Sequence, residues 1–129
     1  MVQHVTNEQV VRALWNAFDK AKFSEAKDLL SDDFVCVWQQ SQERIVGADN
    51  FIAVNANYPG RWYIDVVKLV NAGDEIVTEC RVYSDTTILR AVSFFTLENG
   101  KIKHLREFWP DPMEAQAWRR QWVEIVEQE

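Results

Sequence analysis

Glycine and proline are scarce, four and three residues in a chain of 129. So few cannot supply a glycine-rich phosphate loop or a proline-rich linker, and no Ser or Cys sits in a nucleophile motif. Hydride transfer, phosphoryl transfer and triad hydrolysis are therefore not expected, nor is a bound cofactor. Histidine is rarer still. His4 lies near the start and His104 has no second His, Cys or acid at ligand spacing, so no metal site is expected.

The two cysteines, Cys36 and Cys80, lie far apart in apolar runs that read as strands, which fits buried reduced thiols rather than a disulfide. No apolar run approaches the roughly 20 residues of a membrane span, and no basic segment followed by an apolar run opens the chain. A cytoplasmic protein without a membrane partner is the expectation. Basic residues number 14 against 20 acidic, a net charge of −6, and the Arg119-Arg120 pair is flanked by Glu114 and Glu124. A surface that binds nucleic acid clusters Lys and Arg, so nucleic acid is not an expected partner.

Large rings, by contrast, are plentiful: six Trp, seven Phe and three Tyr. A chain this short has one core, and residues 1–129 are expected to form one domain. More rings than such a core needs suggest a lined cavity or a subunit contact.

The pattern along the chain is helical first and extended afterwards. Thr6-x-x-Gln9 has the form of a capping box, and Val10, Val11, Leu14, Trp15 and Phe18 follow at helical spacing. A short helix from Ser24 to Leu30 is expected next, then a strand from Phe34 to Gln39, with Arg44 to Val46 returning beside it. Ala48 to Asn57 suits a third helix, stopped by Pro59-Gly60. Four β-rich runs then follow, Trp62–Val70, Ile76–Ser84, Thr87–Leu97 and Ile102–Trp109, joined by turns too short for anything but an antiparallel meander. Asn99-Gly100 is a hairpin signal, since both residues tolerate positive φ. Asp111-x-x-Glu114 with Pro112 is expected to start a last helix bearing Ala115, Trp118, Trp122, Ile125 and Val126 on one stripe. The class is α+β: a curved antiparallel sheet wrapped around N-terminal helices, with a hollow at one end and an extra C-terminal helix.

This order, with Leu29-Leu30-Ser31-Asp32-Asp33-Phe34 before the first strand, Phe94-Phe95-Thr96-Leu97-Glu98-Asn99-Gly100-Lys101-Ile102 across the last hairpin and Leu105-Arg106-Glu107-Phe108-Trp109 on the last strand, resembles the nuclear transport factor 2-like superfamily. Within it the chain looks most like the SnoaL-like and ketosteroid isomerase-like branch. The resemblance spans about Gln9 to Trp109 and implies a cone-shaped, cystatin-like domain and a homodimer. It does not choose an activity, because isomerases, cyclases, epoxide hydrolases and non-enzymes share the fold. Ketosteroid isomerases carry a carboxylate base where this chain has Trp38. Epoxide hydrolases of the fold carry an acid where it has Glu107, paired with an Arg-x-Asp where it has Glu79-x-Arg81, in reverse order.

On a strand, Leu105, Glu107 and Trp109 share one face and His104, Arg106 and Phe108 the other. The resemblance turns the Glu107 face toward the hollow and offers Arg90, His104, Arg106 and Phe108 to a dimer partner. A carboxyl among Leu105 and Trp109 would be poorly solvated and suited to proton transfer. Alternatively, it pairs with Arg81 or Arg90 and does no chemistry. Glu79 and Arg81, which share a face, join Glu107 in a charged cluster on the first reading and form an exposed ladder on the second. Trp15, Trp38, Tyr63 and Trp109 are the rings expected to line the hollow around a small hydrophobic molecule. Two functions stay open: a cofactor-free acid/base enzyme using Glu107, or a binder that has kept the pocket without the chemistry.

Overall fold

A capping box opens the first helix, α1 (Asn7–Asp19): Thr6 Oγ1 accepts from the Gln9 amide at 3.1 Å and Gln9 Oε1 accepts from the Thr6 amide at 2.9 Å. Its stripe, Val10, Val11, Leu14, Trp15, Ala17 and Phe18, is buried. The structure is a computed structural model that describes residues 5–127, so His4 lies outside the described residues. A 3-10 turn, Phe23–Leu29, takes the place of the expected second helix, and strand β1 (Leu30–Trp38) follows. Strand β2 (Glu43–Val46) returns beside β1, and α2 (Ala48–Ala56) leaves from Gly47, whose φ of +88° disfavours any residue with a Cβ.

Strands β3 (Tyr63–Asn71), β4 (Glu75–Tyr83), β5 (Ile88–Glu98) and β6 (Lys101–Phe108) form the meander. Asn99 and Gly100 turn the last hairpin at φ of 52° and 74°. The six strands make one curved sheet in the order β2-β1-β6-β5-β4-β3. One pairing departs from the expected all-antiparallel sheet: β1 runs parallel to β6, because β1 enters the sheet from the helical side rather than by a hairpin with it. A bulge between Thr96 and Leu97 shifts the β5–β6 register by one residue, so Ser93 lies opposite Glu107 rather than opposite Arg106.

Alternate residues of the central strands face the helices and are buried, among them Phe34 and Cys36 of β1, Ile76, Thr78, Cys80 and Val82 of β4, Ala91, Ser93, Phe95 and Leu97 of β5, and Leu105 of β6. With α1 they form one core cluster. Its rings are linked: Phe51 of α2 sits 5.0 Å from Phe34 and 5.7 Å from Phe18, centroid to centroid, and Trp15 meets Phe95 edge-on at 5.8 Å.

The C-terminal segment differs from the expectation. A short helix is present, but it is a 3-10 segment at Ala117–Trp122, and residues 109–116 form no helix. Pro110 and Pro112 bias Trp109 and Asp111 toward extended backbone. The apolar stripe is not buried against the described residues: Trp118, Trp122, Ile125 and Val126 are all more than half exposed. Without a packed face a short helix gains too little to form.

Candidate active site

Strand pairing builds the site as a row across the inner face of the sheet. Glu43 pairs with Trp38, Trp38 with Glu107, Glu107 with Ser93, and Ser93 with Thr78. Paired residues point to the same side, so five side chains from β2, β1, β6, β5 and β4 line up on the face that packs against the helices. The parity expected for β6 is what the fold shows. Glu107 is 2% exposed on the inner face, whereas Arg106 faces out, its guanidinium 4.8 Å from the centre of the Phe94 ring.

Glu107 has donors on both oxygens. Trp38 Nε1 donates to Oε1 at 3.1 Å and Cys36 Sγ makes a longer contact to the same oxygen at 3.8 Å, while Ser93 Oγ donates to Oε2 at 2.7 Å. Among the described residues no cation is paired with it. Burial pushes its pKa above the ordinary carboxylate range, and the donors Ser93, Trp38 and Cys36, with the nearby Trp109 N–H, pull the other way. The Trp109 indole N–H stops short of closing a hydrogen bond and is buried with no partner, a state that ordinarily costs about 1–3 kcal/mol. The neighbouring thiols are inert: burial and the Glu107 charge push Cys36 far up, and burial pushes Cys80 up to about 12.

Glu107 forms part of the wall of a cavity of about 670 Å³, within the roughly 300–1,000 Å³ typical of small-molecule sites. Trp15, Phe18 and Phe23 bound it on the helical side, Trp38 and Trp109 beside the acid, and Tyr58, Arg61 and Trp62 at the mouth. Trp15 is fixed there by its indole N–H, which donates to Thr78 Oγ1 at 3.1 Å. Trp62 Nε1 donates to Pro59 O at 2.8 Å, which orients the mouth. A wider groove of about 800 Å³ between α2 and the β5–β6 turn is open, and its charges pair among themselves, as Lys27 with Asp49 at 2.7 Å and Lys103 with Asp33 at 3.2 Å. It holds no buried acid. Among the described residues no group of three His, Cys, Asp or Glu is placed to hold a metal ion.

Several expected site residues lie elsewhere. Glu79 and Arg81 are on the outer face of β4, Glu79 with Arg90 at 3.5 Å and Arg81 with Asp65 at 3.6 Å, because the inner parity of that strand belongs to Thr78, Cys80 and Val82. Of the two readings of that pair, the exposed ladder is the one formed. Tyr63 shares the outer face, stacked on Tyr83 with Arg61 over its ring, and does not reach the cavity. Leu105 is on the inner face but wholly buried one step deeper than Glu107, in the core rather than the cavity wall. Trp15, Trp38 and Trp109 are where they were expected. Ser93, Cys36 and Glu43 were not anticipated, although their strand parity marks them as inward.

Residues 11–105 match the family model of the SnoaL-like domain. The chain belongs to that family. Glu107 lies two residues beyond the matched span. No curated protein matches this SnoaL-like domain. Among solved structures it superposes with a TM-score of 0.87 and 25% identity on a proposed ketosteroid isomerase from Kribbella flavida DSM 17836, over 95% of this chain and 91% of that one. A nuclear transport factor 2-like protein of unknown function from Burkholderia xenovorans LB400 is 30% identical, with a TM-score of 0.79 over 94% and 95% of the two chains. A proposed SnoaL-like polyketide cyclase from Jannaschia sp. CCS1, at 20% identity and a TM-score of 0.71 over 84% and 91%, shares the fold.

Proposed function

We propose that this SnoaL-like domain is a cofactor-free acid/base enzyme, of isomerase, cyclase or hydrolase type, in which Glu107 exchanges a proton with a small, neutral, cyclic substrate. One observation carries this reading: a carboxyl 2% exposed, without a cation, stands in the wall of an aromatic cavity large enough for such a molecule. Burial favours the protonated form of this acid, which can donate to a ring oxygen, and the Trp109 N–H beside it, without a partner among the described residues, can donate a second hydrogen bond to the same atom. Rings on three sides favour a flat apolar body over a charged one.

The second reading, a binder without chemistry, draws on Trp38 standing where ketosteroid isomerases carry a base and on Glu79 and Arg81 facing away. The two separate in one experiment. Small ring ketones, enones and epoxides are titrated against tryptophan fluorescence and then assayed for conversion. Conversion that Glu107→Gln abolishes supports the enzyme, whereas saturable quenching without conversion of any bound compound supports the binder.

We also propose a cytoplasmic homodimer. No helix among the described residues is long and apolar enough to cross a membrane, and both thiols are buried and free. The chain exposes 8906 Å², where a compact monomer of its mass exposes about 7,100 Å². The excess includes Trp118, Trp122 and, on the outer sheet face, Phe94, and a second copy would cover it. Sedimentation at micromolar concentration is expected to read two chains, and a single 15.1 kDa species would refute the dimer.

A further inference from the structure

A carboxyl that gives a proton to a bound molecule cannot at the same step take one from it, so a reaction that also removes a proton from its substrate needs a second acid/base group in the same cavity. The charged residues that line the cavity with Glu107 are Glu43, Arg61 and Asp111. Arg61 is a permanent cation held by the carbonyls of Asp19 and Trp62. Asp111 lies on irregular chain between two prolines. Glu43 is different, because it stands on a strand in fixed register, paired with Trp38 on the side opposite Glu107. Two strand spacings put the Cα atoms of Glu43 and Glu107 about 10 Å apart, with side chains directed to the same face. The Trp38 indole stands between them and gives its N–H to Glu107. Glu43 is exposed, and its side chain has no hydrogen bond or ion pair among the described residues.

We infer that Glu43 is the second acid/base group of this cavity, an exposed carboxyl at the mouth that accepts a proton from a bound molecule while Glu107, across Trp38, donates one. The inference rests on the enzymatic reading of Glu107 and adds its counterpart. Two carboxyls in opposed surroundings, one dry and ringed by donors and one wet and unpaired, are the arrangement by which one site runs acid and base chemistry together.

The test uses 5-nitrobenzisoxazole, a flat neutral probe of cavity size, at neutral pH. A carboxylate removes its C3 proton, the C–H electron pair closes the nitrile, the N–O bond breaks and its electrons pass to the phenolate oxygen, where the Glu107 proton can hydrogen-bond. Saturable release of the coloured phenolate by the parent protein is expected. Glu43→Gln is expected to lower kcat at least about tenfold, Glu43→Asp to restore part of it, and Glu107→Gln to cost less than Glu43→Gln. The position is exposed, so circular dichroism should show each Glu43 variant folded. If Glu43→Gln is as fast as the parent while Glu107→Gln is inactive, Glu107 is itself the base: the inference falls and the Glu107 reading stands. If the parent shows no saturable release, the inference falls, and the ketone and epoxide experiment still decides the role of Glu107.

Discussion

Glu107→Gln lowers turnover of a substrate that must receive the Glu107 proton by about 100-fold or more, the usual contribution of a positioned proton donor, while leaving the fold and ligand binding in place. Glutamine fits the same contacts: its carbonyl oxygen can accept from Trp38 Nε1 and its amide can donate to Ser93 Oγ, the two groups that now bracket the acid at 3.1 and 2.7 Å. The loss should fall on kcat rather than KM, because the shape of the wall is unchanged. The same variant carries a stability signature. Burial holds the folded pKa of Glu107 above its unfolded value, which is about 4.3. As pH rises past that value, the unfolded chain releases its proton first, so this group's contribution is fully present at low pH and is lost as pH climbs toward the folded pKa. Glutamine has no proton to lose. Glu107→Gln should therefore be more stable than the parent at alkaline pH, with the difference shrinking as pH falls. Thermal melts between pH 4 and 9 read both arms, and equal pH dependence in the two proteins would refute the assignment.

Phe51→Ala is expected to cost about 3–5 kcal/mol and to lower Tm by roughly 10 °C or more. Phe51 is 1% exposed and is the one buried residue of α2, wedged between Phe34 of β1 and Phe18 of α1. The same helix lends Asn55 and Ala56 to the cavity wall. Truncating the ring leaves a void where three elements meet and frees α2 to move, so ligand affinity should fall along with stability. A melt within 2 °C of the parent would mean that α2 is held by something other than this contact.

The order of elements was legible because each carries its own local signal: the Thr6 capping box, the period-two strands, the Asn99-Gly100 turn. Strand parity likewise put Glu107 inside without any structure, since Leu105 and Trp109 mark its face. Parity within β4 also joined Glu79 to Arg81 correctly, but which face they took depended on the whole sheet, and the small inward polar residues Thr78 and Ser93 gave no sign of it. Ser93 was hidden for a further reason. A straight count back from Asn99-Gly100 sets Ser93 opposite Arg106, and the bulge at Thr96 to Leu97 moves it opposite Glu107. The parallel β1–β6 pairing was out of reach because it joins the two ends of the chain, and it is that pairing which brings Trp38 and Cys36 to the acid. The terminal helix failed in the opposite sense, since its capping signals at Asp111 to Glu114 are sound but nothing among the described residues buries its stripe.

The central claim is that Glu107 is a proton-holding acid in a dry wall, and titrating its side-chain carboxyl carbon by NMR, assigned with Glu107→Gln, tests it most directly. The account predicts a pKa well above the roughly 4.3 of a free glutamate, and a further rise in Ser93→Ala, which removes the strongest opposing donor. A value at or below that of the free residue would contradict it.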